Sequence, residues 1–165
     1  MPSNYERLSQ LEWMIGQWVD AESMRLADWQ RMLDINLTGV FLCAQAEAQQ
    51  MIGQTPTDGK IINIGSVHEY QARRHYAHYT TSKGGLVMLT KSMALELAEH
   101  NIQVNQVAPG AVATQLTDTA RQESFLSAVP AGRIGKTADI AAMVAFLASP
   151  DAAYVTGTSG LAPTG

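Results

Sequence analysis

Apolar residues recur at spacings of three and four in several parts of the chain, which is the pattern of one buried helical face. The first such stretch covers residues 1–23. The second covers residues 25–50, where Asp28 is a candidate N-cap and Asn36 interrupts the apolar positions. The same spacing predicts three further helices, over residues 79–99, 115–128 and 137–148.

Two short segments have the character of β-strands. Residues 60–65 (KIINIG) are rich in isoleucine, and residues 102–107 (IQVNQV) alternate apolar and polar side chains. The C-terminal tail is rich in turn residues, and its end, SGLAPTG, is poor strand material. The order of helices and strands predicts an α/β fold with a parallel sheet and right-handed crossovers. Because parallel sheets normally contain more than two strands, the pattern indicates part of a doubly wound domain.

Composition and charge narrow the class of protein. A chain of 165 residues suits one domain, and its net charge of −4 argues against a nucleic-acid partner. Its single cysteine, Cys43, rules out an internal disulfide and is expected to be a small buried apolar residue on a helix. No apolar run is long enough to span a bilayer and no secretory leader opens the sequence, so we expect a cytoplasmic protein without a membrane partner.

One pair of residues carries candidate chemistry. Tyr79 and Lys83 are four positions apart on a predicted helix, which places them one turn apart on the same face. A nearby ammonium group stabilises a phenolate, so we expect Lys83 to lower the pKa of Tyr79 and make the pair suitable for proton transfer. Ser66 follows the first strand at its carboxyl end, where doubly wound sheets bind ligands.

Around these residues the chain resembles the short-chain dehydrogenase/reductase family, in particular its bacterial glucose dehydrogenase branch. The matching segments follow one another with the family's order and spacing: DINLTGVFL, KIINIGSVHE, HYTTSKGGLVMLTKSMALELA, NIQVNQVAPGAVATQL and PAGRIGKTADIAAMVAFLASPDAAYVTGT. The resemblance implies the carboxyl-terminal part of a Rossmann-like doubly wound domain over residues 24–158. Residues 1–23 would be an unrelated N-terminal helix, and residues 159–165 a divergent tail.

The resemblance also implies a role for each matching residue. Asn36 corresponds to the asparagine that holds a proton-relay water, and Ser66 to the serine that orients the substrate oxygen. Tyr79 corresponds to the general acid/base, and Lys83 to the lysine that binds the nicotinamide ribose. The segment expected to line the cofactor beside Tyr79 and Lys83 comprises Pro109, Gly110, Val112 and Thr114. The residues expected to contact substrate are Ser66, His68 and Glu69.

The resemblance implies NAD or NADP as cofactor and hydride exchange with a small alcohol, carbonyl compound or sugar. We find no strand, glycine-rich turn and helix of the kind that binds the dinucleotide, which puts cofactor binding by this chain in doubt. The helices over 25–50 and 79–99 match the family's dimer interface and imply a homo-oligomer. Two functions therefore stay open, a truncated oxidoreductase and an inactive fragment that associates through these helices.

His68, His75 and His78 lack the frame of a metal site.

Overall fold

The computed structural model describes residues 19–114, 126 and 129–161. Its helices and strands are, in chain order, α1 (Leu26–Leu33), α2 (Gly39–Ile52), β1 (Gly59–Ile64), α3 (Ala77–Glu96), β2 (Ile102–Ala108), β3 (Val112–Ala113), β4 (Gly135–Lys136), α4 (Thr137–Ala148) and β5 (Ser159–Leu161). A π-helical turn, Asp34–Thr38, joins α1 to α2. A 3-10 turn, Val67–Glu69, lies between β1 and α3. The predicted α/β fold is confirmed.

The main sheet has the strand order β1-β2-β5, and both pairings are parallel. Gly59 of β1 pairs with Ile102 of β2, and the register runs on to Ile64 and Val107. Nearly every side chain of β2 is buried, including the polar Asn105 and Gln106 of its alternating pattern. The reason is that β2 is the central strand and packs on both faces, as parallel strands do.

Apolar side chains fill both faces of this sheet. Ile61 and Ile62 are neighbours on β1, so their side chains point to opposite faces. One cluster joins α2 and α3 to the sheet and comprises Ala44, Ala48, Ile61, Met93, Ala94, Leu97, Ile102 and Val104. The other joins α4 to the sheet around Val107, Leu147 and Ala152, with Ile62, Ile140, Met143, Val144 and Val155 against them. Helices on both faces fit the predicted doubly wound arrangement.

Local details of the sequence interpretation need correction. Helix α1 begins at Leu26, so Asp28 lies in its first turn rather than at the N-cap, and accepts hydrogen bonds of 2.6 and 2.8 Å from the Arg25 guanidinium. The helix expected over 1–23 does not include residues 19–23, and its remainder lies outside the described residues. The helix expected over 115–128 also lies outside the described residues, apart from residue 126. Cys43 is exposed instead of buried.

The expectation that the tail lacks a strand is wrong. Ser159, Gly160 and Leu161 pair in parallel with Gln106, Val107 and Ala108 of β2. Side-chain propensity hides this strand, because two of its residues are small. Gly160 lies close under α4, since a Cβ there would lie 1.7 Å from Cε of Met143, whose side-chain end would have to move. In the described ranges, no helix combines the length and the apolar surface needed to cross a membrane.

Burial of His78 predicts a pH dependence of stability. Its side chain is 6% exposed, and burial holds its pKa below the ordinary 6.5 although the charge of Asp28 opposes this shift. The unfolded chain therefore binds a proton at His78 more readily than the folded chain does. Its contribution to stability should be complete above pH 6.5 and should be lost as the pH falls through the lower folded pKa.

Urea unfolding between pH 5 and pH 8 checks this expectation. The variant His78→Gln should lose less stability than the wild type on acidification, because it has no imidazole to protonate. The matched control is His100→Gln, since the His100 side chain is 36% exposed. Parallel pH profiles for the wild type and His78→Gln would contradict the prediction.

Candidate active site

Asn36 lies in the π-helical turn, where its amide reaches the start of α3. Its Nδ2 donates to Oγ of Ser82 over 3.3 Å and to Sδ of Met32 over 2.9 Å. Ser82 is fully buried, and its hydroxyl donates to the carbonyl oxygen of Tyr79 over 2.7 Å. The described side-chain contacts thus connect Asn36 to the backbone of Tyr79 through Ser82.

Ser66 stands at the carboxyl end of β1, as the sequence predicts. The backbone enters the turn with Gly65 N donating to Val107 O over 2.7 Å, and leaves it with Val67 N donating to Pro109 O over 3.1 Å. Ser66 is the N-cap of the turn 67–69, and its Oγ accepts from the backbone N of His68 over 3.2 Å. These contacts hold Ser66 between the ends of β1 and β2.

Tyr79 and Ser66 converge. A side-chain hydrogen bond joins the two hydroxyl groups, and it acts to lower the pKa of Tyr79. Aromatic neighbours enclose the phenol ring: the ring centroids of His68 and Tyr76 each lie 6.1 Å from that of Tyr79. Burial is the larger influence, so the pKa of Tyr79 is raised above its ordinary 10.0 and the phenol is protonated at neutral pH.

Lys83 is close to Tyr79, but it does not have the expected effect. Its Nζ donates to the carbonyl oxygen of Ile64 over 3.0 Å and lies 5.9 Å from the centre of the Tyr79 ring. The prediction that Lys83 lowers the pKa of Tyr79 is therefore wrong for this structure, where burial, followed by Tyr76 and the charge of Glu69, raises that pKa. Burial also lowers the pKa of Lys83 itself, against the opposing influence of Glu69.

The segment expected to line the cofactor leaves the sheet beside Ser66. Pro109 accepts the hydrogen bond from Val67, and the residues after it enter the short β3–β4 pair. Gly110 and Val112 line a cavity of about 110 Å³, which is mostly apolar and is bordered by the Arg133–Asp139 ion pair. Thr114 follows β3 and is exposed. The segment thus leaves β2 at the same end of the sheet at which Ser66 leaves β1.

The two remaining candidate substrate residues differ in their contacts. His68 faces the site, with its ring centroid 5.1 Å from that of Tyr76. Glu69 instead directs its carboxylate to protein donors: Oε2 accepts from Ser66 N over 3.3 Å and from Gln106 Nε2, and Oε1 accepts from Ser159 Oγ. The described residues contain no group of three histidine, cysteine, aspartate or glutamate side chains placed to hold a metal ion.

Sequence reasoning missed the polar residues that support this arrangement. Ser82, Thr90 and Gln106 are almost fully buried and hydrogen-bonded to one another or to the candidate residues. A polar residue on the inward face of a helix or central strand is the signal that would have found them. That signal needs the exposed and buried faces to be known first.

Comparison with known proteins decides the family. Residues 14–164 match a family model described as Enoyl-(Acyl carrier protein) reductase. The chain belongs to the short-chain dehydrogenase/reductase family. It is 43% identical over 135 residues to a 3-oxoacyl-[acyl-carrier-protein] reductase of Synechocystis sp., covering 81% of this chain and 54% of the relative. It is 42% identical over 140 residues to glucose 1-dehydrogenase 2 of Bacillus subtilis, covering 82% and 54%.

Solved structures of this family have the same architecture. One is a gluconate 5-dehydrogenase from Burkholderia cenocepacia in complex with NADP and tartrate, with a TM-score of 0.81 and 36% identity. The match covers 88% of this chain and 58% of that enzyme. The chain thus spans about half the length of the curated relatives it matches. The fold assignment, a Rossmann-like α/β domain present in part, agrees with this coverage.

Proposed function

We propose that this short-chain dehydrogenase is an NAD(P)-dependent oxidoreductase in which Tyr79 donates or accepts the proton. The observation that carries the proposal is the convergence of two hydroxyl groups, from Ser66 and Tyr79, beside the ammonium group of Lys83. A carbonyl or alcohol oxygen bound between the two hydroxyl groups would have a donor on each side. That arrangement suits stabilisation of the charge that develops on the oxygen during reduction.

The protonation states support a direction for the proton. Because the raised pKa of Tyr79 keeps its phenol protonated at neutral pH, its Oη is a proton donor for carbonyl reduction. In the oxidative direction the same oxygen must first lose its proton, which higher pH favours. Lys83 lies one helical turn away, where we assign it to the ribose of the cofactor. Asn36 completes the set through its hydrogen bond to Ser82.

We assign the residues that follow β2 to the nicotinamide end of a dinucleotide. Gly110 and Val112 line an apolar cavity beyond the end of β2. We assign them to the nicotinamide ring, together with Pro109 and Thr114. When bound, the dinucleotide supplies or accepts the hydride. We assign substrate contact to Ser66 and His68, and the substrate class to small alcohols, carbonyl compounds or sugars. The named relatives, a glucose dehydrogenase and a gluconate dehydrogenase in complex with NADP, support that class.

Cofactor titration tests the proposed function. Fluorescence of NADH and NADPH is followed while the purified chain is added, and the mass of the protein in solution is measured in parallel. Saturable binding with a dissociation constant of about 1–100 μM, in the range of ordinary enzyme ligands, is expected for at least one of the two. The variant Lys83→Met tests the assigned contact, because it removes the cation assigned to the ribose and should weaken cofactor binding. No saturable binding of either cofactor would contradict the proposal.

The same titration judges a second candidate function, an inactive chain that associates through its helices. The observation that favours it is the apolar surface on α2 and α3. Four side chains are 39–82% exposed there, namely Phe41, Leu42, Met88 and Leu95. An interface is one way in which exposed apolar side chains of this size are covered. A stable dimer that binds neither NADH nor NADPH would support this function over the enzyme.

A further inference from the structure

The carboxylate of Glu69 joins three separate parts of the fold. It accepts from the backbone of Ser66 within its own turn, from Gln106 on β2 and from Ser159 on β5. We propose that Glu69 is a positioning residue that holds Ser66 in place by tying the turn 66–69 to β2 and β5. The proposal rests on the proposed function for its catalytic consequence. It replaces the substrate contact expected for Glu69, since both carboxylate oxygens are engaged by the protein.

A buried chain of polar side chains directs Gln106 toward Glu69. Gln106 is fully buried, and its Oε1 accepts from Oγ1 of Thr90 on α3 over 3.0 Å. The Thr90 hydroxyl in turn accepts from Nδ2 of Asn63 on β1 over 2.9 Å. With its oxygen held by Thr90, the Gln106 amide must present its nitrogen to Glu69. A partly buried carboxylate is tolerable here because each of its oxygens accepts from a protein donor.

Gly65 shows that the sequence leaves room for this contact. A Cβ at Gly65 would lie 2.3 Å from Nε2 of Gln106 and 2.3 Å from Oε2 of Glu69. A side chain at Gly65 would therefore require the ends of the Gln106 and Glu69 side chains to move. The glycine stands directly before Ser66, so the space for the Glu69–Gln106 hydrogen bond is created at the residue that enters the active-site turn.

Loss of these contacts would loosen Ser66 relative to Tyr79. The turn 66–69 is short, and Glu69 supplies the hydrogen bond to the N-cap backbone that closes it. The charge of Glu69 acts on the same site, because it raises the pKa of Tyr79 and the pKa of Lys83. The other titratable groups that face Tyr79 are His68, Tyr76 and Lys83. Glu69 therefore acts in two ways: its hydrogen bonds position Ser66, and its charge shifts the pKa of Tyr79.

Two substitutions separate them. Glu69→Gln keeps an oxygen for Ser66 and Gln106 and turns its amide nitrogen toward the Ser159 hydroxyl, so it removes only the charge. Glu69→Ala removes charge and hydrogen bonds together. Glu96→Gln is the matched control, since Glu96 is exposed at the far end of α3. All three are compared with the wild type by amide hydrogen exchange, by NMR titration of the Tyr79 ring and by steady-state kinetics on small sugars and ketones.

In Glu69→Ala, amide exchange over residues 65–70 should accelerate about tenfold or more and kcat should fall about tenfold or more, with the cofactor KM nearly unchanged. Glu69→Gln should restore wild-type exchange and kcat but titrate Tyr79 at lower pH, whereas Glu96→Gln should match the wild type throughout. Unchanged exchange in Glu69→Ala would overturn the proposal, as would a raised substrate KM at constant kcat in Glu69→Gln. An inactive wild type would refute the proposed function only, because exchange and titration still judge the positioning role.

Discussion

Replacing Tyr79 with phenylalanine is expected to lower kcat by roughly 10²- to 10⁴-fold, which is the usual contribution of a general acid or base. The substitution removes the hydroxyl that bonds to Ser66 and leaves the ring between His68 and Tyr76. Because the ring is retained, the dissociation constant of NADH or NADPH should change less than about threefold. Initial rates on small sugars, alcohols and ketones, together with a cofactor titration, measure both quantities.

The matched control for this loss is Tyr154→Phe, because Tyr154 is fully exposed. It should retain the wild-type kcat. The pH dependence gives a second check on the same group. Since burial raises the pKa of Tyr79, reduction should be active at neutral pH and should decline only as the pH rises through that pKa. Wild-type turnover in Tyr79→Phe would remove Tyr79 from the mechanism.

The sequence predicts several elements of the fold well, because β-branched residues, alternation or spacings of three and four mark them. The strands over 60–65 and 102–107 and the helix over 137–148 lie within a residue of the observed elements. β5 could not be predicted in the same way. Its pairing with β2 depends on backbone hydrogen bonds and on the small size of Gly160 under Met143, and neither produces an apolar pattern.

The candidate site could be predicted only as far as local spacing reaches. The four-residue interval places Lys83 near Tyr79, and the end of a strand places Ser66 beside them. The raised pKa of Tyr79 could not be predicted, because it depends on the depth of burial. Glu69 and Gln106 are 37 residues apart, so their contact exists only once β1 and β2 have paired. The resemblance implied substrate contact for Glu69, because its contacts with β2 and β5 are not visible in the sequence.

The buried hydrogen bonds behind the site make stability and activity depend on the same residues. Thr90 is 1% exposed and its hydroxyl serves two partners, accepting from Asn63 and donating to Gln106. An apolar residue of the same shape at position 90 would leave both partners buried and short of a hydrogen bond. Gln106 would then lose the contact that directs its amide toward Glu69. Loss of the Thr90 hydroxyl should therefore also weaken the hydrogen bonds that position the turn with Ser66.

Thr90→Val tests this connection, since it replaces one hydroxyl by a methyl group. The free energy of unfolding should fall by about 1–3 kcal/mol, the cost of leaving buried polar groups unsatisfied. Thr81→Val, the same change at an exposed position of α3, should alter it by less than about 0.5 kcal/mol. Urea unfolding of both variants measures the difference. Equal midpoints would mean that Asn63 and Gln106 do not depend on Thr90. Faster amide exchange at the turn 66–69 in Thr90→Val alone would show that the loss extends from α3 to Glu69.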